Sequence, residues 1–209
     1  MATINLQKGQ KIDLTKGNPG LSKITIGLGW DEVAASGKSK ASGFLGGIFG
    51  GGGGSAAAID CDASAILLND QNKLTSKANL VYFGNLQSGD KSVKHSGDNL
   101  TGAGEGDDEQ IQVDLSSVPN EIKKIVFVVN IYDSTKRKQD FGLIANAFIR
   151  IVNSANDQEF CKYNLSENYA GKTSLIAAEV YRHNNEWKFA AIGEGTNDAS
   201  LGELVRRYQ

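Results

Sequence analysis

Residues 121–133 read EIKKIVFVVNIYD, an almost unbroken apolar run closed by Pro119-Asn120 on one side and Asp133 on the other. Val and Ile dominate it. A run of this length, β-branched and bounded by turn residues, predicts a strand covered on both faces. An antiparallel sheet with one wet face would show alternation instead.

The surrounding sequence supplies further strands. KITIGLGW (23–30) alternates weakly, and AAIDCDASAILLN (57–69) alternates clearly over Ile59 to Ala65. NLVYFGNL (79–86) is a short apolar run, and AFIRIVN (147–153), SLIAAEVYRH (174–183) and NEWKFAAIG (185–193) follow. The last two flank His183-Asn184-Asn185, which predicts a hairpin turn. Helix is sparse. SLGELVRRYQ (200–209) places Leu201, Leu204, Val205 and Tyr208 at helical spacing after Asp198, a candidate N-cap region, and QDFGLIANAF (139–148) suits a short helix. Many short strands punctuated by glycine predict a mainly β fold, a β-sandwich of two antiparallel-rich sheets with a few short helices.

The 209 residues suit a single domain spanning 1–209. Within it, residues 37–58, GKSKASGFLGGIFGGGGGSAAA, read as a flexible glycine-rich insertion carrying Phe44, Leu45, Ile48 and Phe49. Net charge is −2, so nothing global argues for a nucleic-acid partner. Cys61 and Cys161 are far apart with no CxxC spacing, which fits a reducing cytoplasm better than a disulfide framework. MATINLQKGQKIDL has no apolar core of a secretory signal, and no run of about 20 apolar residues predicts a membrane span.

Charge is concentrated locally. Between Gly97 and Glu109, in HSGDNLTGAGEGDDEQIQVDL (95–115), stand Asp98, Glu105, Asp107, Asp108 and Glu109 with four glycines and no basic residue. Such carboxylates repel one another and raise each other's pKa unless something positive sits among them. Glycine permits positive φ and exposes carbonyls, so the stretch offers the mixed carboxylate and carbonyl oxygens that Ca²⁺ takes in sixes to eights. A plain solvated acidic loop is the alternative. Asp60 and Asp62 add a second source, at i and i+2 and about 7 Å apart on one strand face, with Ser64 following. Paired acids there suit either cation binding or carboxylate catalysis, and the neighbouring acidic loop favours the cation. An EF-hand fails, because Leu100 and Gly102 occupy ligand positions and Ala103 the turn glycine. GAGEGDD is one copy of what a calcium β-roll needs in tandem. Zn²⁺ is disfavoured, with Cys61, Cys161, His95 and His183 scattered. SGKS (36–39) and AGKT (170–173) lack the phosphate-loop glycine, since Glu32 and Ser166 stand there, and read as turns. Cys61, Trp30 and Trp187 read as core residues, and the two histidines as structural or surface groups.

GLGWD (27–31), DCDASA (60–65), the 95–115 stretch, VPNEIKKIVFVVNIYD (118–133), ANAFIRIVN (145–153) and YRHNNEWKFAAIGEG (181–195) resemble, in order, the blocks of the TerD family of tellurium-resistance and bacterial stress-response proteins. The resemblance spans the chain except the insertion and the last dozen residues. It implies a β-sandwich binding two Ca²⁺ ions through Asp60, Asp62, Asp98, Asp107, Asp108 and Glu109, with Asn99, Thr101 and Glu105 inside the same motif and Asp31 near the same edge. It also implies a non-enzymatic binding or scaffold module. Its partners would be other proteins of a stress-response or tellurium-resistance system, membrane-associated ones included, met in the cytoplasm or at the inner membrane face. The alternative is a metal-assisted hydrolase using the same carboxylates. The sequence departs from the family pattern at the insertion, at Cys61 (commonly leucine) and in the tail.

Overall fold

The computed structural model describes residues 3–32, 59–97 and 106–209. The insertion expected at 37–58 lies outside them. Among the described residues the chain forms strands β1 (Ile4–Leu6), β2 (Lys11–Asp13), β3 (Lys23–Glu32), β4 (Cys61–Leu68), β5 (Leu80–Val81), β6 (Val93–His95) and β7 (Glu109–Asp114). There follow β8 (Lys124–Ile131), a short helix α1 (Ser134–Arg137), β9 (Ile144–Asn153), β10 (Gln158–Asn164), β11 (Ser174–His183), β12 (Glu186–Thr196) and helix α2 (Leu201–Val205). They build two six-stranded sheets, ordered β1-β10-β9-β3-β7-β6 and β2-β12-β11-β8-β4-β5. Every described pairing between strands is antiparallel except β1 with β10. The mainly β sandwich expected from the sequence is the fold observed.

The 121–133 run becomes β8, paired with β11 on one side and β4 on the other. Ile125, Phe127, Val129 and Ile131 enter the core between the sheets. Val126 and Val128 point the other way, into a second apolar cluster with Ile66, Leu68, Ile176, Leu204 and Val205. The C-terminal segment is thus the layer that makes β8 dry on both faces. Ser200 caps α2 by accepting the Glu203 N–H, so the cap falls two residues after the expected Asp198. Burying a side chain such as Phe127 contributes about 2–3 kcal/mol.

Two local readings change. The helix expected over 139–148 is confined to a 3₁₀ turn at Phe141–Leu143, and β9 begins at once with Ile144. Tertiary pairing with β3 and β10 overrides the local helical preference. The 79–86 run is strand only at Leu80–Val81, after which Tyr82 to Asn85 fold into a tight turn. The hairpin between β11 and β12 turns on Asn184 and Asn185, with φ of +51° and +65°, the left-handed pair that a two-residue hairpin needs. The AGKT stretch turns at Ala170-Gly171. Among the described residues, no helix is long and apolar enough to cross a membrane.

Candidate metal centre at the acidic pole

The C-terminal end of β3 and the N-terminal ends of β4 and β7 meet at one pole of the sandwich, where Gly97 and Gly106 bracket residues 98–105. Both glycines have positive φ, +115° and +111°. Asp98, Asn99, Thr101 and Glu105 lie outside the described residues. Asp31, Asp60, Asp62, Asp107, Asp108 and Glu109 are described, and each has a distinct setting.

Glu109 is the first residue of β7, its side chain fully buried, and it crosses from one sheet to the other. β4 pairs with short β5 only at Ala65 and Ile66, so the ladder on that edge stops before Ala63. The Ala63 N–H donates instead to Glu109 Oε2 at 2.5 Å. The Ala63 carbonyl faces His95 Nε2 at 3.1 Å, and Nε2 is 3.5 Å from Glu109 Oε2. Gly97 N–H donates to His95 Nδ1 at 3.0 Å, which leaves the ring proton on Nε2 to serve the Ala63 carbonyl. His95 and Glu109 thereby satisfy the backbone groups of β4 that no strand reaches, as buried amides require. Glu109 Oε1 is buried with no hydrogen-bond partner among the described residues.

Asp107 is not left to repel its neighbours. Arg150 on β9, remote in sequence, donates from Nε to Oδ1 at 2.7 Å and from Nη2 to Oδ2 at 3.1 Å, and its Nη1 donates to Glu159 at 3.0 Å. Gln110 Nε2 donates to Asp107 Oδ2 at 3.0 Å. This fork-on-carboxylate pair fixes the exit of the acidic loop and leaves Asp107 few lone pairs for a cation. The glycines of GLGW make room for it. A Cβ on Gly27 would stand within 2.3 Å of the Asp107 carboxyl, and one on Gly29 would meet the Gly106 carbonyl at 2.6 Å and the Phe148 ring at 2.5 Å. Gly27 and Gly29 thus give Asp107 and the Gly106 carbonyl room against β3, a role invisible in the alternation of the sequence.

The β3–β9 register shifts between Gly29 and Asp31, and within this bulge the Trp30 N–H donates to Asp108 Oδ2 at 2.7 Å. Burial pushes the Asp108 carboxyl up, the Trp30 bond opposes it, and the charges of Asp31 and Asp107 push it further; the net displacement is upward. Asp31 is exposed and accepts from Asn146 Nδ2 at 2.8 Å.

Asp60 ends just short of β4, its Oδ2 3.7 Å from Arg137 Nη1 on α1, and its carbonyl accepts the Tyr132 N–H at 2.8 Å. Asp62 is buried on the outward face of β4, not on a half-wet face, opposite Asn130 in the β4–β8 register. Asn130 Nδ2 lies 3.5 Å from Asp62 Oδ2, and Asn130 Oδ1 is buried with no hydrogen-bond partner among the described residues. Asn130 was not nominated from sequence, where it reads as one polar break in an apolar run. The signal available was that break itself, since a buried strand interior seldom holds an amide without a use. Cys61 packs in the core, as expected, and its thiol is held well above the usual value by burial and then by Asp62, Asp60, Glu109 and Asp108. Those four carboxylates therefore share one neighbourhood around Cys61. Among the described residues no three His, Cys, Asp or Glu side chains converge closely enough to hold an ion by themselves. The chemistry of the donor set is nonetheless all oxygen, with the Asn130 and Glu109 oxygens unused, and it suits a hard cation.

Comparison with known proteins agrees with this architecture. The TerD domain family matches residues 1–208. The chain is 59% identical over 205 residues to Stress response protein SCP2 of Bacillus subtilis (strain 168), covering 98% of each chain. It is 48% identical to General stress protein 16U of the same organism, covering 92% of this chain and 91% of that one. It is 39% identical to Tellurium resistance protein TerD of Serratia marcescens, with the same coverage. A crystal structure of a homologue of telluride resistance protein from Streptomyces coelicolor A3(2) superposes with TM-score 0.62 at 17% identity, over 88% of this chain and 98% of that one, a likeness of fold alone. With the whole described sandwich and nearly its full length accounted for, the chain belongs to the TerD family.

Proposed function

We propose that this protein is a calcium-binding member of the stress-response and tellurium-resistance type, a non-enzymatic module in which about two Ca²⁺ ions organise the acidic pole. The observation that carries this reading is the gathering of Asp60, Asp62, Glu109 and Asp108 around Cys61, with Asp108 pushed up by burial and then by its acidic neighbours. Asp60, Asp62, Asp108 and Glu109 are the side chains proposed to hold the ions, joined by Asn130 Oδ1, which has no hydrogen-bond partner among the described residues. Asp98, Asn99, Thr101 and Glu105 are proposed to complete the oxygen set. Asp107, tied to Arg150, and Asp31, tied to Asn146, support the rim. A bound Ca²⁺ supplies positive charge that offsets carboxylate repulsion and draws the loop onto the sandwich. The ordered pole is then a surface for other proteins of a resistance system, in the cytoplasm or at the inner membrane face, and the change in local charge makes it a switch.

A hydrolytic role for the same acids has less support. The Cys61 thiol is buried and held protonated, and His95 spends its ring on Ala63 and Gly97, so neither serves as nucleophile or base. Calorimetric titration of chelator-treated protein with Ca²⁺, with Mg²⁺ as control, tests the proposal. Two sites preferring Ca²⁺ are expected. No heat with Ca²⁺ would overturn the reading, and metal-dependent turnover of a phosphoester lost in Asp62→Asn would replace it with the hydrolase.

A further inference from the structure

At the opposite end of β8 from the acidic centre, a cleft of about 530 Å³ opens between the loop after β2, the loop after β7 and the β11–β12 hairpin. Its volume falls in the range of small-molecule sites. Lys16, Ser116, Asn120, Arg182, Asn185 and Glu186 supply its polar groups. Arg182 is the feature to explain. It is half-buried at the end of β11, its guanidinium 4.3 Å from the Trp187 ring. Nε donates to the Ile122 carbonyl at 3.3 Å and Nη2 to the Val118 carbonyl at 2.7 Å, so two neutral acceptors hold the fork in place. Among the described residues Nη1 has no hydrogen-bond partner, and no carboxylate lies within ion-pair distance of Arg182. The other half-buried arginines each have one: Arg137 has Asp60, and Arg150 has Asp107 and Glu159.

A guanidinium stacked on an indole and pinned by carbonyls is pre-organised to receive an anion with its remaining donors. Lys16, exposed on the loop after β2 and without an ion-pair partner among the described residues, adds a second cation to the same cleft. Glu186 is the countervailing charge, and Thr15, which also lines the cleft, holds it in place: the Thr15 hydroxyl donates to it at 2.5 Å while accepting the Trp187 N–H at 2.8 Å. A fixed carboxylate of this kind suits a ligand hydroxyl rather than a second anion, and Ser116 and Asn120 extend the hydroxyl-binding rim. Bare phosphate fills only a fraction of the space. We propose that the cleft binds a small hydroxylated organic anion of the sugar-phosphate class, its anionic group on Arg182 and Lys16 and its hydroxyls over Glu186, Ser116 and Asn120.

The experiment titrates the full chain with ribose 5-phosphate, inorganic phosphate and ribose separately, by calorimetry and by amide shifts of the cleft residues. Saturable binding of ribose 5-phosphate is expected, at least tenfold tighter than either fragment, with shifts confined to residues 15–22, 115–120 and 182–187. Arg182→Lys, which keeps the charge and loses the fork, weakens it more than tenfold, and Lys16→Ala about fivefold. Arg182 also braces the 118–122 loop, so a melt is run on that variant; Lys16→Ala alters only an exposed side chain and keeps the test decisive if Arg182→Lys unfolds. Equal affinity for phosphate and ribose 5-phosphate, undiminished binding in Lys16→Ala and any folded Arg182→Lys, or no saturation with any probe overturns the proposal.

Discussion

The two ends of β7 hold carboxylates in opposite electrostatic states. At one end, Asp108 sits among Asp31 and Asp107 and is pushed up by burial and then by those charges, with one opposing N–H bond from Trp30. At the other end, six residues on in sequence, burial raises Asp114, but the hydroxyls of Ser116 and Ser117 and the ammonium of Lys23 outweigh it and hold the group below the usual carboxylate range. The difference extends to the poles they mark. The acidic pole collects negative charge faster than the fold supplies partners: among the described residues Arg150 and Arg137 are the basic side chains sent to it. The far pole balances its acids locally and leaves a guanidinium over. One strand thus joins a site short of positive charge to a site short of negative charge. The core between them is apolar along β7 at Ile111 and Val113.

The sharpest way to break this contrast is to load the acidic pole. If it lacks a cation, Ca²⁺ at 100 times Kd stabilises the chelated protein by about 2.7 kcal/mol, which raises Tm by roughly 5–10 °C for a chain of this size. Thermal melts with and without chelator read this, and a Tm unmoved by Ca²⁺ would mean the crowding is tolerated as it stands. Next in size is Glu109→Ala. It strips the acceptor from the buried Ala63 N–H and removes the neighbour of His95 Nε2, at a cost of about 2–4 kcal/mol. Denaturant melts of the chelated protein should show the loss with the slope m unchanged.

Gly29→Ala follows. Its Cβ meets the Gly106 carbonyl and the Phe148 ring, neither a free-swinging group, so overpacking of about 1–3 kcal/mol is expected together with weaker Ca²⁺ binding. Stability lost with unchanged Ca²⁺ affinity would show that the loop exit is not part of the cation site. The smallest effects come from the two ends of β7 themselves, and their signs differ. Asp108 has a folded pKa above its unfolded value, so its native state binds the extra proton and stability falls as pH rises through that window. Asp108→Asn should therefore raise Tm of the chelated protein slightly at pH 7 and not below pH 4, while abolishing part of the Ca²⁺ response. Asp114 is depressed, so it contributes stability above its unfolded pKa that is lost as pH falls through the folded value. Asp114→Asn should lower Tm at pH 7 by about 2 °C or less, the scale of a partly exposed network, and the deficit should close on acidification. Two variants moving in the same direction at pH 7 would erase the contrast.

Sequence periodicity by itself announced the long strands β3, β4, β8, β9, β11 and β12, because burial on a pleated sheet leaves a period-2 or all-apolar trace that local reading detects, while β1, β2, β6, β7 and β10 were not legible in it. EIKKIVFVVNIYD announced a doubly covered strand, and the Asn184-Asn185 turn announced a hairpin; both stand where expected. The clustering of acids was equally plain, since charge is written directly in residue identity. Tertiary structure alone decided what those residues meet. It brought Arg150 to Asp107 from 43 positions away and set Glu109 against the unpaired edge of β4. It turned Asp62 toward Asn130 on a face covered by the C-terminal segment, and on the opposite pole left Arg182 with no carboxylate partner among the described residues. Each of these depends on contacts across the sandwich between segments far apart in the chain. Spacing along one strand specifies which face a side chain takes, but not what the other sheet, or the chain's own tail, places in front of it.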